Sequence, residues 1–112
     1  MAGAVQPVTE SDFEARIQQA HMAIVDASAS WCAPCKVYAP IFERAAGQHG
    51  DIAWMKFDVD EEPRLAQRLG IQSMPTTLFF LHGKLAGKVP GALRPPQLED
   101  LVQQLKGHGH HH

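Results

Sequence analysis

The chain has 112 residues and a mass of 12.3 kDa, which suits one compact domain and excludes two. Hydrophobic residues make up 45% and charged residues 20%, too apolar for a disordered chain, and the net charge of −2 lacks the basic excess of a nucleic-acid binder. No apolar run reaches the roughly 18–20 residues of a membrane span, and the two cysteines are too few for a disulfide-stapled mini-protein.

Val5 to Val8 reads as a short strand, which Pro7 restricts to a sheet edge. Ser11-x-x-Glu14 has the form of a capping box, and Phe13, Ile17 and Ala20 follow at helical spacing, predicting a helix over 11–20. Ala23 to Ala27 is a short apolar run with one acid, Asp26, and reads as a central strand. Residues 34–46 are expected to be helical, with Val37, Ile41 and Ala45 on one face and a kink at Pro40. Ile52 to Phe57 is rich in large apolar side chains and reads as a buried strand.

Pro63, Leu65, Leu69 and the stop signal Gly70 predict a short helix. Thr76 to Leu81, the turn His82-Gly83, and Leu85 to Val89 form a β-hairpin pattern. Leu98, Leu101, Val102 and Leu105 follow the i, i+3, i+4, i+7 spacing of an amphipathic helix. Strands alternating with helices, then a hairpin and a helix, predict one α/β domain with a central mixed sheet.

Residues 107–112 hold four of the seven histidines and read as an expression-tag remnant, leaving residues 1–106 as the domain. His21, His49 and His82 lie far apart and form no ligand motif, so each is expected on the surface or in a loop, with no metal site. The first residues lack the basic and long apolar regions of a signal peptide. A cytoplasmic monomer is expected, or a periplasmic one if a signal was removed.

The chemistry concentrates in Trp31-Cys32-Ala33-Pro34-Cys35, between a buried strand and a helix. Cysteines three apart on a first helical turn face the same way and are close enough for a disulfide. Cys32 falls near the helix N-terminus, where unpaired N–H groups and the helix dipole stabilise a thiolate. Cys35 lies further in and is expected to be less exposed, so one sulfur attacks and the other resolves. Lowering a thiol pKa from about 8.5 to about 7 raises the thiolate fraction at pH 7 roughly 16-fold. Lost nucleophilicity returns about 6-fold of that, so thiolate stabilisation mainly sets redox poise, and rate comes from holding the second sulfur beside the mixed disulfide. A zinc half-site is disfavoured by the lack of a second cysteine pair. A purely structural bridge is disfavoured because so short a loop removes little unfolded-state entropy.

From about Val8 to Leu105 the chain resembles the thioredoxin family. The resemblance is carried by Val25-Asp26, Trp31-Cys32-x-Pro34-Cys35-Lys36, Pro40, Lys56 with Asp58 and Asp60, Gly70-Ile71, Met74-Pro75-Thr76 and Gly91-Ala92. It implies the thioredoxin fold, a mixed sheet flanked by helices on both faces. It also implies a protein-disulfide reductase cycling between a Cys32–Cys35 dithiol and disulfide. Within that pattern Asp26 relays protons to and from the resolving thiol, with Lys56 near it. Pro75 matches a cis-proline opposite the cysteines, and Trp31, Ala33, Pro34, Met74, Gly91 and Ala92 contribute to substrate docking. Asp60 is expected near Trp31, and the remaining acids of the run Asp58 to Glu62 are expected to be a solvated lead-in to a helix.

The resemblance implies disulfide-containing protein substrates and a separate reductase, such as thioredoxin reductase. No dissociable cofactor is expected, since the chain has no flavin or nicotinamide fingerprint. A redox-gated client-binding module or holdase, or a more oxidising oxidase or isomerase, is the alternative reading. Ala33 stands where the family usually has glycine, Ala27 and Ser28 where it usually has aromatics, and Pro90 where it has a β-branched residue. These changes are expected to stiffen the active-site turn, remove packing and take one N–H from the substrate-facing loop.

Overall fold

The computed structural model describes residues 4–109. It contains β1 (Val5–Pro7), α1 (Glu10–Gln19), β2 (Met22–Ser28), α2 (Ala33–Gln48), β3 (Ala53–Asp58), α3 (Pro63–Arg68), β4 (Thr76–Leu81), β5 (Lys84–Pro90) and α4 (Pro95–Gly109). The strands form one sheet in the order β1-β3-β2-β4-β5. β1 and β2 run parallel to β3, while β4 is antiparallel to β2 and β5 to β4. β1, with its proline, is an edge strand as expected, and β2 is central.

Alternation along the strands gives two apolar faces. On one, Met22, Ile24, Trp54 and Phe79 pack with Tyr38 and Phe42 of α2 and Leu98, Val102 and Leu105 of α4. On the other, Val25, Met55, Phe57 and Leu78 pack with Phe13 and Ile17 of α1 and Leu65 of α3. The expected mixed sheet with helices on both faces is therefore observed. Among the described residues no helix is long and apolar enough to cross a membrane.

Several local signals resolve differently from the sequence reading. The first helix is capped by Thr9, whose side chain accepts from the Asp12 N–H while the Asp12 carboxylate accepts from the Thr9 N–H. Ser11 and Glu14 are not the box. Val8 and Phe13 flank this cap and share one apolar cluster, so the staple and the box agree on the earlier start. On α2 the buried face is Cys35, Tyr38, Phe42, Ala45 and Ala46, whereas Val37 is exposed and Ile41 only half-buried. Of the expected stripe Ala45 is buried, while at the other two positions the inward residue is one further on, Tyr38 past Val37 and Phe42 past Ile41. The helix continues through Pro40.

His49 also departs from expectation. It is buried at the C-cap of α2, its Nε2 2.8 Å from Glu99 Oε1 and its Nδ1 2.8 Å from Lys106 Nζ. Lys106 also pairs with Asp51, and the His49 carbonyl accepts from Trp54 Nε1. These contacts join the end of α2 to β3 and α4. The hairpin turn is as read: His82 and Gly83 both have positive φ, 53° and 80°, the backbone of a tight two-residue β-turn. α4 runs on to Gly109, past the boundary at residue 106, while His110 to His112 of the expected tag lie outside the described residues.

Phe42 sits at the centre of the α2–sheet interface, 1% exposed, edge-on to Trp54 and tilted against Tyr38. Phe42→Ala is expected to cost about 3–5 kcal/mol, transfer and cavity contributions together. Urea denaturation measures this, and a cost below about 1 kcal/mol would contradict the packing described.

Candidate active site

α2 begins where β2 ends, and the loop between them places both cysteines at the sheet's C-terminal edge. Cys32 is the N-cap of α2, Ala33 and Pro34 are its first two residues, and Cys35 is the third. A proline at the second position costs no intrahelical bond, since its N–H would have been unpaired there. The Cys35 N–H donates to Cys32 Sγ at 3.2 Å, so sulfur occupies the role an N-cap oxygen usually fills. An anion at this position faces the positive end of a 16-residue helix.

The two cysteines form a disulfide with Cα atoms 5.2 Å apart. Both are buried, Cys32 5% and Cys35 4% exposed, so the expected contrast between them is absent in the oxidised state. Ala29, Val59 and Met74 pack around the pair. None of the first two was anticipated: their signal was only that of small apolar residues beside strand ends.

Met74 and Pro75 are joined by a cis peptide bond, as the resemblance implied. The Met74 carbonyl oxygen lies 3.5 Å from Cys32 Sγ, and the Pro75 carbonyl accepts from the Gly91 N–H at 2.8 Å. Gly91 has φ 94°, a backbone open to glycine and strained for other residues, which turns the chain after β5 beside the cis-proline. Ala92 follows it on the surface, and Ala33 and Pro34 are exposed at the start of α2. Pro90, on edge strand β5, pairs in register with Thr76. Trp31 stands 64% exposed beside the disulfide, its indole N–H donating to Asp60 Oδ2 at 2.6 Å.

Most of the acidic run has local work. Asp58 accepts from the N–H groups of Ser30, Asp60 and Glu61, and Glu62 Oε1 accepts from the Glu10 N–H. The turn is hydrogen-bonded within itself, and Asp60 and Glu61 are exposed to solvent as expected.

Asp26 is 5% exposed on the face covered by α2, two residues on from Ile24. Burial pushes its carboxyl up from 3.8 to about 7, and the positive charge of Lys56 opposes the rise. Lys56 lies opposite it in the β2–β3 register but is itself exposed. Asp26 Oδ1 is buried without a hydrogen-bond partner. A carboxyl poised near neutrality is suited to take or give a proton in that range.

The two positions that lack aromatics differ in outcome. Ala27 is fully buried within the α1–α3 face cluster. Ser28 instead lines a surface pocket of about 320 Å³ with Val8, Lys56, Asp58 and Glu62. Among the described residues no group of three or more His, Cys, Asp or Glu is arranged to hold a metal ion.

Comparison with known proteins agrees with this geometry. The thioredoxin family model matches residues 4–106. Thioredoxin-1 of Saccharomyces cerevisiae is 42% identical over 84 residues, 75% of this chain and 82% of that protein. A thioredoxin of Staphylococcus epidermidis is 39% identical over 106 residues, 94% of this chain and 98% of that one. Among solved structures, oxidised mitochondrial thioredoxin 3 of Saccharomyces cerevisiae superposes with a TM-score of 0.84 at 31% identity, covering 90% of this chain and 95% of its own.

Proposed function

The chain belongs to the thioredoxin family and is a thiol–disulfide oxidoreductase that reduces protein disulfides, and on that premise we propose how its residues divide the work. The Cys32 thiolate attacks a substrate disulfide, forming one mixed disulfide and releasing one substrate thiolate. Cys35 then attacks Cys32 Sγ, releasing the second substrate thiolate and leaving the Cys32–Cys35 disulfide. Asp26 takes the Cys35 proton, and Lys56 favours its ionised form. The observation that carries this order is Cys32 at the N-cap of α2, where its sulfur already accepts the Cys35 N–H.

Substrate docks as an extended chain on the surface formed by Trp31, Ala33, Pro34, Met74, Pro75, Gly91 and Ala92. With the net charge near zero, the exposed indole and apolar rim supply more of that association than long-range steering does. The redox equivalents reside in the cysteine pair, so no dissociable cofactor is needed, and a separate reductase such as thioredoxin reductase restores the dithiol. The cytoplasm, which keeps thiols reduced, is the compartment this cycle suits.

Redox titration against glutathione tests the direction of the reaction. A potential well below the roughly −180 mV of an isomerase is expected. A value at or above that figure would reassign the chain as an oxidant or isomerase.

A further inference from the structure

Buried polar side chains need partners, and here they sort cleanly. His49 is held by Glu99 and Lys106, and Thr76 Oγ1 donates to the Ser73 carbonyl at 2.6 Å. Asp26 and Thr77 remain, at 5% and 0% exposure, directly opposite one another in the β2–β4 register. Opposed residues of an antiparallel pair share a face, with Cβ atoms roughly 4.5–5.5 Å apart. On that face Tyr38 descends from α2, fully buried, its Oη 2.8 Å from Thr77 Oγ1. Tyr38 is one helical turn beyond Cys35, and its phenol feels the Asp26 charge, so the hydroxyl pair shares the buried face of the carboxyl, whose Oδ1 accepts no hydrogen bond in this structure.

Either hydroxyl of the pair can donate to the other. With Tyr38 donating, the Thr77 proton is free to turn toward an ionised carboxylate. With Thr77 donating, the outer lone pairs are free to receive from a protonated acid. We propose that Thr77, oriented by Tyr38, is a positioning residue for Asp26, its hydroxyl adapting to both protonation states of the carboxyl and favouring the ionised one. The preference for the ion follows because hydrogen bonds to charged groups are about twice as strong as neutral ones. This deepens the proposed function and rests on its reading of Asp26 as the proton acceptor.

The groups facing Asp26 are few. β3 contributes Lys56, α2 contributes Tyr38, and β4 contributes the neutral Thr77. Burial first, and then the neighbouring Asp26 charge, push the Tyr38 phenol up against the opposing Thr77 bond, so Tyr38 remains a neutral hydroxyl throughout the working range. The competing account is that Thr77 merely satisfies a buried tyrosine.

Carbon-13 NMR titration of the Asp26 carboxyl in the intact oxidised protein separates the two. Thr77→Val is expected to raise the midpoint by about one pH unit, a roughly tenfold change in proton affinity. Tyr38→Phe, which keeps the ring and loses only the hydroxyl, is expected to raise it by less, and carries the test if Thr77→Val does not fold. Thr77→Ser is expected to restore the wild-type midpoint. Unmoved midpoints in folded Thr77→Val or Tyr38→Phe overturn the proposal. A moved midpoint with an unmoved pH profile for mixed-disulfide resolution overturns the proton role of Asp26 instead.

Discussion

Cys32→Ser is expected to lower insulin reduction with dithiothreitol by about a thousandfold or more, since a hydroxyl at this site is not an anion near neutral pH. The N-cap position stabilises a thiolate through the helix end and the Cys35 N–H, and neither contact ionises serine. Cys35→Ser is expected to behave differently. Attack proceeds, but the intramolecular step is gone, and with it an effective concentration on the order of 10⁵ M or more. The substrate then stays bound through Cys32, visible by mass spectrometry as a covalent adduct that external thiol removes slowly. Activity surviving in Cys32→Ser, or an adduct forming on Cys35 in its place, would reverse the assigned order.

That assignment was legible in the sequence because the Cys-x-x-Cys spacing and the strand-to-helix break around it are local. The hairpin was legible for the same reason: His82-Gly83 supplies two residues able to adopt positive φ between two apolar runs. What stayed hidden depended on contacts across the chain. His49 looked like a loop residue, and only the arrival of Glu99 and Lys106 from α4 explains its burial. On α2 Ala45 is buried as expected, but Tyr38 takes the inward place expected of Val37 because it finds Thr77, 39 residues away, and so can be buried whole. Ser11 carried the expected cap, whereas the helix is capped at Thr9, where Val8 and Phe13 on either side share one apolar cluster. Asp26 carried an ambiguous signal, an acid in an apolar run. Its meaning depends on α2 closing over it.

Asp26→Asn is expected to make the protein more stable and slower, and the two effects share one cause. The folded carboxyl sits near 7 where an exposed one sits near 3.8, because burial disfavours its charge. Between those values the native state binds the proton more tightly than the unfolded chain, so stability falls as pH rises through the window and is lowest above about pH 7. A shift of about three units corresponds to on the order of 4 kcal/mol. Asparagine removes the charge, so urea denaturation at pH 8 should show the variant more stable, with the gain shrinking toward pH 4. The kinetic cost appears in the opposite direction. Wild-type protein has a base that is half ionised near neutrality, while the variant leaves Cys35 to lose its proton to solvent. Release of substrate from the mixed disulfide should slow by about ten- to thirtyfold near pH 7, where a thiol with pKa near 8.5 is only about 3% ionised. The two proteins should converge as pH climbs past the thiol's own ionisation near 8.5. Stopped-flow release rates across that range measure it, and identical profiles would leave Asp26 only the destabilising half of its description.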